Sequence, residues 1–124
     1  MKNPMGKKKW AIAEGYIPGW SHGPEYLFTS HEAICILNAG DEEAKVQITV
    51  FFKDKPSIGP YPVTVGAERT LHFRMNDLDP EKLPVATDYS CIIESNVPVV
   101  VQHTRLDSRQ AENALMTTIA YSED

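Results

Sequence analysis

The stretch Lys45-Val46-Gln47-Ile48-Thr49-Val50-Phe51-Phe52-Lys53 decides the fold class. In an extended chain Val46, Ile48, Val50 and Phe52 share one face, while Gln47, Thr49 and Phe51 share the other. A helix would scatter the same residues around its circumference. Arg69 to Met75 repeats the pattern, with Leu71, Phe73 and Met75 opposing Thr70, His72 and Arg74. Further strands are predicted over Trp10–Ile17, His31–Asn38, Pro62–Val65, Tyr89–Glu94, Val97–Thr104 and Leu115–Tyr121, all rich in β-branched or aromatic residues. Asn38-Ala39-Gly40-Asp41, the Pro56–Pro60 loop and Val65-Gly66-Ala67 punctuate them. Ser95-Asn96 has the spacing of a two-residue hairpin but lacks the usual glycine. About eight short strands without a long helical period predict an all-β, single-domain antiparallel β-sandwich or jelly-roll-like barrel.

The 124 residues suit one domain that buries about two-thirds of its unfolded surface. A basic flexible tail is expected over residues 1–9, the sandwich over 10–121 and a short tail over 122–124. The longest apolar run, Val97-Pro98-Val99-Val100-Val101, is far short of the ~20 residues that span a bilayer. Lys7-Lys8-Lys9 is followed by Glu14-Gly15-Tyr16 instead of an apolar secretory core, so a cytoplasmic protein is expected. Residues 1–10 hold four lysines and no acid, which leaves eight basic residues against all 17 acids in the remainder. Such an acidic body repels phosphate backbones. The lysine cluster is either a solvated tail or a contact for nucleic acid or an anionic membrane. Cys35 and Cys91, each in an apolar run, read as reduced core thiols.

Two long connections, Pro18 to Pro24 and Asn76 to Thr87, are places where function can sit, or else passive crossovers. The most unusual stretch is Gln102-His103-Thr104-Arg105-Leu106-Asp107-Ser108-Arg109-Gln110. Extended, it places His103, Arg105, Asp107 and Arg109 on the face of Val99 and Val101, where two guanidiniums around an imidazole and a carboxylate suit an anion or sugar hydroxyls. A structural ion-pair network, within the domain or across a subunit interface, uses the same residue types. A competing reading starts a helix with Asp107 as N-cap and Gln110 completing a capping box. His31 and Glu32, as strand neighbours, point to opposite faces. With Glu14, His22 and His103 they match no metal-ligand spacing, so no metal and no cofactor is expected. Trp10, Tyr16, Trp20 and Tyr26 concentrate aromatics early in the chain; Trp10, Glu14, Trp20 and Asn38 can hold a sugar, or else Trp10 and Tyr16 serve as core or interface residues. Nucleophile elbow, Walker loop, dinucleotide fingerprint and His-Glu-x-x-His are all missing, so no catalytic residue is assigned and no enzyme is expected.

Several motifs resemble the sensory rhodopsin transducer family, small soluble partners of a cyanobacterial sensory rhodopsin. They are Trp10-Ala11-Ile12-Ala13-Glu14-Gly15-Tyr16-Ile17-Pro18, Ser30-His31-Glu32, Cys35-Ile36-Leu37-Asn38-Ala39-Gly40-Asp41, Gly59-Pro60-Tyr61 and Asn76-Asp77-Leu78. Ser95-Asn96-Val97-Pro98, the unbroken run from Val101 to Leu115 and Thr118-Ile119-Ala120-Tyr121 resemble it most strongly. The resemblance covers essentially Trp10 to Tyr121. It implies a cytoplasmic β-sandwich homotetramer that binds the cytoplasmic side of a membrane photoreceptor, with DNA contact also proposed for the transducer. It further implies a polar pocket for a small, sugar-like molecule. The ligand-binding residues expected are the polar and aromatic ones within the matching motifs: Trp10, Glu14, His31, Glu32, Asn38, His103, Arg105, Asp107 and Arg109. Two functions remain open: a ligand-sensing signalling module, or a protein-interaction adaptor without a small ligand.

Overall fold

The computed structural model describes residues 5–23, 29–110 and 112–124. Eight strands follow one another: β1 (Lys7–Tyr16), β2 (His31–Asn38), β3 (Ala44–Phe51), β4 (Ile58–Val65), β5 (Arg69–Arg74), β6 (Asp88–Asp107), β7 (Ala114–Ile119) and β8 (Tyr121–Glu123). A 3-10 turn, Met75–Asp77, follows β5. The sheets are antiparallel, in the orders β4-β3-β6-β1-β8 and β5-β2-β6-β7, and β6 belongs to both. Its first half, to Ser95, pairs with β1 and β3; its second half, from Val99, pairs chiefly with β2 and β7. The fold is the expected all-β sandwich, with one strand passing from layer to layer.

The apolar periodicity of each strand explains the core. Val46, Ile48 and Val50 of β3 are buried as their alternation requires, facing Ile34 and Ile36 of β2. In β6 the odd positions Tyr89, Cys91, Ile93, Val99, Val101 and His103 are all buried. β1 changes parity part-way: Trp10 and Ile12 are buried, then Gly15 and, just past the strand, Ile17. The register slips by one residue between Ile12 and Gly15, a β-bulge that turns Glu14 outward and Gly15 inward.

Five expectations need correction. Ser95-Asn96 is no hairpin: Asn96 lacks the positive φ that a tight reversal needs, and its Oδ1 instead accepts the Lys45 N–H at 2.7 Å. Tyr89–Glu94 and Val97–Thr104 are therefore one strand, while Leu115–Tyr121 resolves into β7 and β8. Lys7, Lys8 and Lys9 are not a loose tail but the start of β1, held by β6 and β8, with Lys7 Nζ 2.6 Å from Asp124 Oδ1. Residues 122–123 likewise belong to β8 rather than to a tail. The alternative helix at Asp107 is absent among the described residues, because Asp107 is the last residue of β6 and Arg109 folds back on it.

Candidate functional site

The inward row of β2 is Glu32, Ile34, Ile36 and Asn38, two apolar residues bracketed by two buried polar ones. Glu32 is fully buried, and its carboxylate is saturated. Oε1 accepts the Tyr16 backbone N–H at 2.7 Å and the Tyr89 hydroxyl in a very short hydrogen bond. Oε2 accepts His103 Nε2–H at 2.9 Å and Arg105 Nε–H at 2.8 Å. Four donors fill the four lone-pair positions of a carboxylate, which is what makes burying its charge tolerable. Burial raises the Glu32 carboxyl, but the bonds from His103, Tyr89 and Arg105 outweigh it and hold the group below its usual 4.5. Tyr89 is pushed up by burial and by the Glu32 charge it faces. Cys91, buried close by, is raised by burial and by Glu32 to about 12.

Each donor has a local reason for its place. His103 and Arg105 are successive inward residues of β6, and Ile34 pairs with His103 while Glu32 pairs with Arg105. Tyr89 reaches across because Gly15 leaves room: a Cβ there would overlap the Tyr89 ring. Asn76 secures the start of β2, its Oδ1 accepting the Glu32 N–H at 3.3 Å and its Nδ2 donating to Ser30 O at 3.1 Å.

Outward from Glu32 the cluster becomes a mouth. The Arg105 side chain is 17% exposed, with Nη1 4.0 Å from Glu14 Oε2 and Nη2 buried without a hydrogen-bond partner. Arg105 and Arg109 lie over the Tyr16 ring at 6.0 and 5.9 Å, and Arg109 also lies over Trp20 at 5.5 Å. Arg109 grips Asp107 with two nitrogens, Nε to Oδ1 at 3.0 Å and Nη2 to Oδ2 at 2.7 Å. That bond lowers the Asp107 carboxyl and raises the Arg109 guanidinium. Trp20 is anchored by Nε1 to Arg109 O at 2.9 Å, and its carbonyl accepts Ser30 Oγ at 2.8 Å. Ser108 N–H donates to that same Ser30 Oγ at 2.9 Å, so the loop, β2 and the end of β6 are tied together. Beside the cluster, between β1 and β7, a cleft of about 420 Å³ is lined by Glu14, His103, Met116, Thr118 and Tyr121 among others.

Of the sequence-predicted residues, the structure brings together Glu14, Glu32, His103 and Arg105, with Asp107 and Arg109 beside them. It separates three others. Trp10 is 4% exposed, a core residue whose Nε1 donates to Lys7 O. Asn38, fully buried at the far end of β2, clamps a turn through Nδ2 to the carbonyls of Glu42, Val65 and Gly66. His31 points to the opposite face from Glu32, as its position requires, and Nδ1 donates to Thr29 O at 2.7 Å. Glu32 itself has no acceptor position to spare, and its carboxylate orients Arg105 and His103. Sequence reasoning missed Tyr89 and Asn76. The available signal for Tyr89 was a hydroxyl-bearing residue in the apolar row of Cys91 and Ile93; nothing local marks Asn76. Tyr26 lies outside the described residues. Among the described residues no group of three His, Cys, Asp or Glu side chains is arranged to hold a metal, and no helix is long and apolar enough to cross a membrane.

A family model described as the Anabaena sensory rhodopsin transducer matches residues 5–122. The chain belongs to this transducer family. It is similar to the solved structure named Anabaena sensory rhodopsin transducer, with 56% identity, coverage of 85% of this chain and 100% of that one, and a TM-score of 0.74. It is also similar to the crystal structure of Thermotoga maritima 1070, at 42% identity over 95% and 96% of the two chains, with a TM-score of 0.86. No curated protein matches the chain. Membership in the transducer family gives it the role of a signalling module.

Proposed function

We propose that this chain is a non-enzymatic, cytoplasmic, homotetrameric sensor whose Arg105 mouth binds a small sugar-like ligand and passes the outcome to a membrane photoreceptor. The observation that carries the ligand reading is the buried Arg105 Nη2, a donor without an acceptor, next to the 87% exposed Glu14 side chain. A buried unsatisfied donor costs about 1–3 kcal/mol, so a hydroxyl that reaches it recovers that energy on binding. Glu14 is the side chain that swings to admit it, then serves as acceptor for a second hydroxyl. The aromatic faces of Tyr16 and Trp20 and the hydroxyls of Thr118 and Tyr121 complete a surface suited to a polyol. Ion pairing already compensates the charges of Arg105 and Arg109, which favours a neutral ligand over a strong anion.

The test is a thermal-shift panel of hexoses, pentoses and sugar acids on the purified protein. A ligand at ~100 times its Kd adds about 2.7 kcal/mol. Arg105→Gln should abolish the shift; a ligand that binds the variant equally well sinks the assignment.

Strand β7 supports the assembly. All six of its residues are exposed, including Leu115 at 72%, Met116 at 50% and Ile119 at 59%, and among the described residues it pairs only with β6. Apolar edges of this kind are normally covered. Leu115→Asp/Ile119→Asp should reduce the tetramer to a smaller species in light scattering; an unchanged tetramer excludes β7 from the interface. The same edge favours a second reading, an adaptor that binds the photoreceptor without a small ligand. Contact with DNA belongs to that second reading and works against a net charge of −5. A rhodopsin partner is supported by the name of the relative that is 56% identical.

A further inference from the structure

The outer face of the β4-β3-β6-β1-β8 sheet carries a hollow that the Glu32 cluster does not use. It measures about 540 Å³, within the ~300–1,000 Å³ typical of small-molecule sites. The register explains its shape. Ser90 of β6 stands opposite Phe51 of β3, and residues directly opposite in an antiparallel pair share a face. On its other flank Ser90 meets the β1 bulge, where its Oγ donates to Ala13 O at 2.6 Å. Ser90, Ala13 and Gly15 thus form a low floor, and Phe51, 38% exposed, is an aromatic wall beside it. Asp88, two residues before Ser90 on β6, shares its face. Lys53, two residues after Phe51, stands at that same end of the hollow, and Glu14 completes the rim.

The lining is sorted by sign. Ser90 Oγ has given its one hydrogen to Ala13 O and offers lone pairs alone. With the Asp88 and Glu14 carboxylates it makes a set of acceptors suited to the three N–H bonds of an ammonium. Lys53 is the lining side chain with N–H groups to give. Lys53 and Asp88 carry opposite charges yet form no ion pair with each other, and among the described residues neither has another partner. Phe52 already holds Lys55 Nζ over its ring at 4.3 Å, which leaves Phe51 as the ring with an open face. We infer that this hollow binds a small amino acid with an aromatic or apolar side chain, in its zwitterionic form. Its ammonium meets Asp88, Ser90 and Glu14, its carboxylate meets Lys53, and its side chain lies on Phe51. Of the charged residues here only Glu14 also borders the Arg105 mouth, so this site does not depend on the sugar reading there.

The test is a chemical-shift titration of the 15N-labelled full chain with phenylalanine and three probes that each lack one part of it: 2-phenylethylamine, 3-phenylpropionate and glycine. Saturable shifts of the Phe51, Lys53 and Ser90 amides are expected with phenylalanine. A hydrogen bond to a charged group is worth about tenfold or more in affinity, so each deletion probe should bind weaker by about that factor. Lys53→Met should bring phenylalanine down to the affinity of 2-phenylethylamine while leaving 2-phenylethylamine itself unchanged. Asp88→Asn should in the same way erase the preference for phenylalanine over 3-phenylpropionate. Ser90→Leu, which fills the floor without removing a charge, should abolish binding even if one of the charge variants disturbs folding. Arg105→Gln should leave the phenylalanine shifts intact. Linear, unsaturated shifts with all four probes, glycine binding as tightly as phenylalanine, undiminished binding by Ser90→Leu, or shifts confined to Tyr16, His103 and Arg105 would each overturn the inference.

Discussion

Removing the Glu32 carboxylate is the sharpest perturbation available. Glu32→Ala leaves Arg105, His103, Tyr89 and the Tyr16 N–H without their common acceptor, all beside a side chain that is 0% exposed. Breaking a buried ion pair from one side costs about 3–5 kcal/mol, most of it from the stranded charge. Total stability for a domain of this size is about 5–15 kcal/mol, so the loss is a large share. At about 3–5 °C per kcal/mol, interpolated between smaller and larger domains, the Tm should fall by about 10–25 °C. A second substitution exposes the mechanism: Glu32→Ala/Arg105→Met removes the stranded guanidinium as well and should recover about 1–2 kcal/mol relative to Glu32→Ala. Urea denaturation followed by circular dichroism measures both, at one fixed protein concentration so that any self-association contributes equally. A Glu32→Ala loss below about 1 kcal/mol, or strictly additive single and double variants, would refute the reasoning.

Three further outcomes follow, two from the same network and one from the far end of β2. The Glu32 carboxyl lies below 4.5 when folded, so its stabilisation is complete above about pH 4.5 and is lost as pH falls through the folded value. Tyr89 is raised above 10, so its contribution is complete below pH 10 and is lost as pH climbs. Tm should therefore be level between about pH 5 and 10 and fall on both sides, and a flat acid limb down to pH 3 in differential scanning calorimetry contradicts this. Gly15→Ala should displace the Tyr89 ring from Glu32 at a cost of about 1–3 kcal/mol, seen as a lost near-ultraviolet tyrosine signal and a lower urea midpoint. Asn38→Ala strips three carbonyls of their donor and should cost about 2–3 kcal/mol without changing ligand affinity, which separates it from the mouth.

What the sequence disclosed was what period-two alternation can encode. β3 could be read directly from Val46, Ile48 and Val50, and the placement of His31 and Glu32 on opposite faces followed from strand geometry alone. The inward row of His103 and Arg105 was visible for the same reason. Pairing was not. β6 runs through Ser95-Asn96 because β1 and β3 take one half while β2 and β7 take the other, and no local signal reports such distant partners. The bulge at 13–14 reverses parity within β1, which is why Trp10 and Glu14 do not share a site. Lys7 to Lys9 look like a tail by charge yet are held in a sheet by neighbours near residues 94, 99 and 123. Tyr89 and Asn76 join Glu32 from 57 and 44 residues away, so only the fold reveals them.

The central claim is that Arg105, oriented by Glu32, offers its spare N–H to a sugar-like ligand. The most direct measurement is the guanidinium Nε–H resonance of Arg105 in a 15N spectrum, followed while the strongest sugar of the thermal-shift panel is added. The account predicts a saturable shift of that resonance, accompanied by Tyr16 and His103, with the same midpoint as calorimetric binding and lost in Arg105→Gln. A sugar that binds by calorimetry while the Arg105 resonance stays fixed, or a panel in which no sugar binds at all, contradicts it.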